Sequence, residues 1–151
     1  LHNMGLLLIG HLVPPEFKML NTLVENHPED SLHVLEKRVI GLDQAQQVIA
    51  LGHSQIGSWL MKSWNMPEEV ITALRHQKSP ESAEEHAQYA CLLQLTHHLL
   101  AAEGLLPGGP QEIDESLYDR LHIPKEKAHE SIQQLLGSQE DVAVIAHLMG
   151  R

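Results

Sequence analysis

Cysteine is almost absent: Cys91 stands alone among 151 residues, which excludes an intrachain disulfide and a thiolate metal cluster. Its neighbours in YACLLQL are apolar, so it reads as a small buried hydrophobe. Aromatic residues make up only 3% against 42% hydrophobic residues, so the core must be built from Leu, Ile, Val, Met and Ala. That palette suits helices packed on helices. Bases are scarce as well. Ten Lys and Arg face 20 Asp and Glu, for a formal net charge of -10, and no Lys/Arg-rich segment offsets the excess. Such a surface repels phosphate backbones and argues against nucleic-acid binding. Long hydrophobic runs are missing too. The opening LLLI is too short to span a membrane and lacks the basic flank of a signal peptide. A cytoplasmic setting with no membrane contact is therefore expected. The glycines are scattered singly, end helices or sit in the turn GLLPGGP, so neither a nucleophile turn nor a phosphate-binding loop is present.

Alternating strand patterns, internal repeats and low-complexity tracts are also lacking, and what remains is helical. Leu1 to about Ile9 reads as a buried helix closed by Gly10. Pro14-Pro15 opens PEFKMLNTLVEN, with Phe17, Leu20, Leu23 and Val24 at helical spacing. Ser31 to Ile40 forms a short helix stopped by Gly41, and Asp43 caps DQAQQVIAL, which stops at Gly52. HSQIGSWLMKSW is amphipathic, with Ile56, Trp59, Leu60 and Trp64 on one stripe; the two tryptophans read as core. Pro67 starts PEEVITALRHQ, whose acids lie at its positive end and Arg75-His76 at its negative end. The longest helix is predicted over Ser82 to Glu103, burying Tyr89, Leu92, Leu93, Thr96 and Leu100. LLPGGP breaks it. Helices over Asp114–Leu121 and from Pro124 to Gly137 follow, and a box at Ser138-Gln139-Glu140-Asp141 caps a final helix reaching Met149. The expected class is all-α.

Histidine is the residue present in excess. There are 12, and below about pH 6 most would charge and cancel the acidic surplus. Solubility should fall sharply near the sequence pI of 5.6. Two helical His ligands for one ion usually sit three or four residues apart, and no pair here has that spacing. His97 and His98 are neighbours, about 100° apart around a helix, and cannot point at one ion. Any metal site must therefore be assembled from different helices, and taken singly most of the histidines read as solvent-facing or capped. Gly57 sits mid-helix, where it costs about 1 kcal/mol against Ala. That cost suggests a close helix contact. Glu36 and His53 could form a polar pair inside the bundle, or His53 could cap its helix.

Three segments together resemble a known family. LHNMGLLLIG is similar to the Leu-His-Asp-Ile-Gly helix of the HD superfamily. GHSQIGSWLMKSWNMPEEVITALRHQ resembles the most characteristic stretch of the HDOD domain, a His-x-x-hydrophobic-Gly helix, then Trp-x-hydrophobic-Pro, then a helix closing in His-His. AQYACLLQLTHHLL is similar to the later helix that carries the superfamily's last metal-binding Asp. The resemblance implies a multi-helix orthogonal bundle of the HD/HDOD type, lacking the family's N-terminal helices. It implies an HDOD-like core at 1–103, a Gly/Pro loop at 104–113, and C-terminal helices at 114–151 packing on the core. Gly57, Trp64 and Pro67 would be its structural motif, with the Trp64 ring buried at the helix end.

Departures from the pattern imply a degenerate site at His2, Asn3, His53, His76, Gln77 and His97. Asn3 replaces the metal-binding Asp; the late Asp falls at His97, or at Thr96 with a shift of one; the second closing His is Gln77. Without those anionic oxygens a dication loses much of its attraction, so no cofactor and no metal are expected. The resemblance thus implies a noncatalytic regulatory module of a bacterial signal transduction protein, with a signalling protein or an attached regulatory domain as partner. The alternative is a metal-dependent phosphohydrolase using His2, His53, His76 and His97, which would favour a transition metal over Mg. If leading helices are missing, uncovered apolar faces near Leu6–Ile9 would favour a homodimer.

Overall fold

The computed structural model describes residues 2–39, 44–106 and 108–138. Among these residues there are eight α-helices and no strand: α1 Met4–Leu12, α2 Pro14–Asn26, α3 Leu32–Arg38, α4 Gln44–Ser63, α5 Glu68–Arg75, α6 Ala87–Ala102, α7 Ser116–Leu121 and α8 Lys125–Gly137. A 3₁₀ turn at Pro80–Ser82 joins α5 to α6. The all-α expectation holds. Asp43, Gly41 and the final helix with its capping box lie outside the described residues, apart from Ser138, which follows α8.

Proline sets many of the boundaries. Val13 precedes Pro14-Pro15, and the steric demand of the following ring keeps it at φ -134, off the helical region. The first helix therefore runs through Gly10 and ends at Leu12, two residues beyond the expected stop. Gly10 makes room for a neighbour instead, since a Cβ there would meet the Phe17 ring at 3.1 Å. Pro67 and Pro124 stand immediately before α5 and α8. Gly52 (φ 73, ψ 158) divides α4 into two helical halves, a backbone state open to glycine alone at little cost.

The helices pack in a chain of neighbours, α1 against α2 and α4, α4 against α3 and α5, α5 against α6, and α6 against α7 and α8. Three apolar clusters fill the interfaces. Leu20, Leu35 and Val39 join α2 to α3; Met61, Ile71 and Leu74 join α4 to α5; Cys91, Leu95, Leu99, Leu117, Tyr118, Ala128 and Ile132 join α6 to α7 and α8. Cys91 is buried, as its apolar neighbours implied. The closest helix crossing is α1 over α4. A Cβ on Gly5 would sit 1.9 Å from the His53 carbonyl oxygen, and one on Gly57 would sit 3.3 Å from the Gly5 nitrogen. The close contact read from Gly57 is real, and Gly5 is its tighter half.

Two burial expectations are corrected. Trp59 and Trp64 are 49% and 54% exposed, so neither ring fills the core; Met61, fully buried, and Ile56 fill it on α4. The long helix begins at Ala87, after His86 in the left-handed region at φ 56, and not at Ser82. Its buried face carries Ala90, Cys91, Leu95, Leu99 and Ala101, while Tyr89 and Leu92 are exposed. That helix is apolar nearly all round, so its sequence gives periodicity little to select.

Candidate functional site

The Gly52 break brings a new helix start, His53, against α3. Glu36 is on α3 and is only 3% exposed, as is His53. Its Oε1 accepts from the His53 backbone N–H at 2.9 Å and from Nδ1 at 2.7 Å. One carboxylate oxygen thus caps the second half of α4 and fixes the imidazole. Burial works to raise the Glu36 pKa, but the hydrogen bonds and charge of His53 outweigh it, and the carboxyl is held below its ordinary value. Lys78 Nζ lies 3.9 Å from the other oxygen, Oε2. Burial pulls the Lys78 ammonium down to about 8, with Glu36 opposing the shift.

Next to this pair is a pocket of about 260 Å³. His2 and Asn3 reach it from the start of α1, His33 from α3, His53 from α4, Gln77 and Lys78 from the end of α5, and His97 and His98 from α6. The His2 and His97 rings meet edge to face with centroids 4.6 Å apart. Burial holds His97 down to about 4, with His2, His53 and Lys78 adding repulsion. His2, His33 and His98 are also held below the ordinary imidazole value, burial being the largest cause in each. All four rings are thus favoured in the neutral form. Gln77, only 1% exposed, donates from Nε2 to Ser54 Oγ at 2.7 Å, while its Oε1 has no hydrogen-bond partner. Neither do His2 Nε2, His97 Nε2 and Glu36 Oε2.

Of the sequence-derived site residues, His2, Asn3, His53, Gln77 and His97 line this pocket and His76 does not. His76 Nδ1 lies 2.7 Å from Ser82 Oγ, which itself donates to the Ser79 carbonyl at 2.6 Å. The four imidazoles of His2, His53, His76 and His97 therefore do not surround one point. Nor do the pocket residues fit a hard dication. No Asp or Glu is among its lining, and no three imidazole nitrogens there lie within 4.8 Å of one another. A trio of metal-ligating side chains that close occurs among the described residues at His27, Glu29 and Asp30, on the link between α2 and α3, where Asp30 is tied to Arg38.

Sequence reasoning missed Lys78, His33 and His98 as lining residues, and Gln94 and Gln111 beside them. No spacing rule could have found them, because they come from four separate segments. Taken singly, the histidines read as solvent-facing or capped, whereas only His11, His122 and His129 are exposed among the described ones. Two helices meeting at a glycine crossing place His2 near His53, and so begin the cluster.

Among comparisons with known proteins, the HDOD domain family matches residues 1–80, more than half of the 151. A solved structure from Marinobacter aquaeolei VT8, described as a candidate signal transduction protein, superposes with a TM-score of 0.81 at 30% identity. The match covers 99% of this chain and 31% of that one, so the present chain spans about a third of its length. A search of curated proteins finds no match.

Proposed function

Since the chain belongs to the HDOD family, we propose that it is a noncatalytic regulatory module of a bacterial signal transduction protein, acting through protein–protein contacts in the cytoplasm. The observation that carries this reading is the donor set of the central pocket. A hard dication that activates water is held by anionic oxygen ligands that offset its dehydration. A transition metal held by imidazoles needs at least three of them converging on one point, which this pocket does not offer. Here Asn3, Gln77 and His97 supply an amide, an amide and an imidazole that burial favours in the neutral form, and Lys78 puts a cation on the wall. Electrostatics in this pocket oppose a second positive charge.

The interaction part of the proposal is supported by the two tryptophans. Tryptophan is the side chain most enriched among the anchors of protein contacts. Trp59 and Trp64 are both half exposed, with Leu7 and Leu12 exposed on the helix that crosses α4. The partner is another signalling protein, an attached regulatory domain or a second copy of the chain. No helix among the described residues is long and apolar enough to cross a membrane.

The test is metal content after purification without chelator, together with turnover of phosphomonoester and phosphodiester nucleotides in the presence of Mn, Fe or Zn. We expect substoichiometric metal and no turnover. Stoichiometric metal with nucleotide hydrolysis would defeat the reading and restore a phosphohydrolase. Sedimentation velocity of the wild type and Trp59→Ser resolves whether the partner is a second copy.

A further inference from the structure

The chain carries 20 acidic residues, yet no Asp or Glu is among the lining of its histidine-rich pocket. On a surface so acidic, a concavity lined by one lysine and five imidazoles is a local gap in the negative charge. Lys78 is the charged side chain on its wall. The nearest carboxylate with a part in it, Glu36, is not among the lining residues and commits Oε1 to two bonds to His53. Unpaired polar atoms of the lining add a second, independent observation. Gln77 lines the pocket, is 1% exposed and leaves its Oε1 without a partner, as His2 and His97 leave their Nε2 atoms. Buried polar atoms without partners are uncommon in folded proteins and call for water or a ligand. The two imidazole nitrogens donate to an anion in the matching ring tautomer, whereas Gln77 Oε1 only accepts and suits a hydroxyl of the same ligand or a water.

We propose that this pocket receives a small oxyanion, the carboxylate or phosphate group of a metabolite, held by Lys78 and the imidazole N–H groups of His2, His33 and His97. A free dication would face Lys78 with no carboxylate among the lining residues to hold it. An anion meets a cation and several neutral donors, which form the shorter, stronger class of hydrogen bond when one partner is charged. Glu36, 3.9 Å behind Lys78, limits the charge the pocket tolerates, so a monoanion suits it better than a dianion.

Binding of this kind is linked to protons. The groups facing the pocket or packed against it are His2 ahead of α1, His33, Glu36 and Lys37 of α3, His53 of α4, Lys78 after α5, and His97 and His98 of α6. An arriving anion favours imidazolium, so protons should be taken up on binding near pH 6. Lys78 loses its charge above about pH 8. Affinity should therefore rise as pH falls from 9 to 6.5.

The experiment is isothermal titration of the intact chain with inorganic phosphate and, separately, with acetate, at pH 6.5 and pH 9 in two buffers of different ionisation enthalpy. Saturable one-to-one binding is expected, at least about tenfold weaker at pH 9 and in Lys78→Gln, the usual size for losing one charge-assisted contact. Lys62→Gln, on the exposed end of α4, should bind as the wild type does. Should Lys78→Gln fail to fold, His33→Gln takes its place with the same expected loss. Whichever probe binds more tightly names the group on the natural ligand. No saturation by either probe, binding unchanged in the pocket variant, or affinity that rises with pH would overturn the proposal. The regulatory reading rests on turnover and metal content, so the failure of one is told apart from the failure of the other.

Discussion

Gly5→Ala sets two physical effects against each other with opposite signs. Gly5 lies in the first turn of α1, where Ala is favoured over Gly by at most about 1 kcal/mol through backbone entropy. Propensity alone thus predicts stabilisation. The structure predicts the reverse. A Cβ at Gly5 would sit 1.9 Å from the His53 carbonyl oxygen, 2.7 Å from its carbon and 2.9 Å from the Gly57 nitrogen, where ordinary contact begins near 3.4 Å. All three are backbone atoms of α4, so no side chain can rotate out of the way. The first helix must lift. Overpacking of this kind costs about 1–3 kcal/mol and occasionally more, and a backbone-to-backbone clash belongs at the upper end. After the propensity gain, a net loss of about 2 kcal/mol or more remains, which lowers Tm by roughly 4–8 °C in a chain of this size. Circular dichroism melts of Gly5→Ala, Gly57→Ala and Gly137→Ala would measure it. Gly57 meets Gly5 at 3.3 Å and should be milder, and Gly137 meets nothing within 4 Å and should be neutral or slightly stabilised. A Gly5→Ala protein that melts at or above the wild-type temperature would refute the crossing as described.

The other expectations concern burial and charge. Trp59→Ser and Trp64→Ser should each cost well under the about 3–5 kcal/mol of a core aromatic deletion, because both rings are half exposed; urea unfolding distinguishes the two cases. Glu36→Ala leaves the buried His53 backbone N–H and Nδ1 without their acceptor and should cost about 3–5 kcal/mol, with Glu36→Gln milder because an amide oxygen still accepts. The Glu36 pKa is below its ordinary 4.5 in the fold, so its contribution is present above that pH and lost as pH falls through it. His97 acts over a higher window. Its folded pKa of about 4 lies under the ordinary 6.5, so the unfolded chain binds more protons between those values and stability drops as pH falls from 6.5 to 4. His97→Gln should flatten the fall of Tm between pH 7 and pH 5, and an unchanged slope would place the acid sensitivity elsewhere.

The helices were legible because their ends are written in local chemistry. Pro14, Pro67 and Pro124 restrict the backbone at the point where each helix begins, and Gly52 takes a conformation that side chains resist. The phase of burial was less legible. On α6, AQYACLLQLTHHLLAA is apolar on both sides, so Tyr89 and Leu92 look as fit for the core as Cys91 and Leu95. Only the position of α7 and α8 decides which face is covered. On α4 a similar ambiguity put Trp59 inside by size, where the tight approach of α1 at Gly5 and Gly57 determines which side is covered.

The pocket was half legible for a related reason. Glu36 and His53 could be paired on paper because both are polar residues set in apolar stretches, and a polar group inside needs a partner. Lys78 has no such mark. It follows a helix end, in a loop whose composition predicts exposure, and its ordinary fate is solvent. What places it on the pocket wall is the end of α5 packing beside α6, a tertiary event with no local signature. The sign of the pocket's charge depends on that one residue more than on any histidine, since burial favours the neutral form of four of the five rings, His2, His33, His97 and His98. A count of twelve histidines suggests metal chemistry. A single lysine among neutral rings turns the same cavity towards anions.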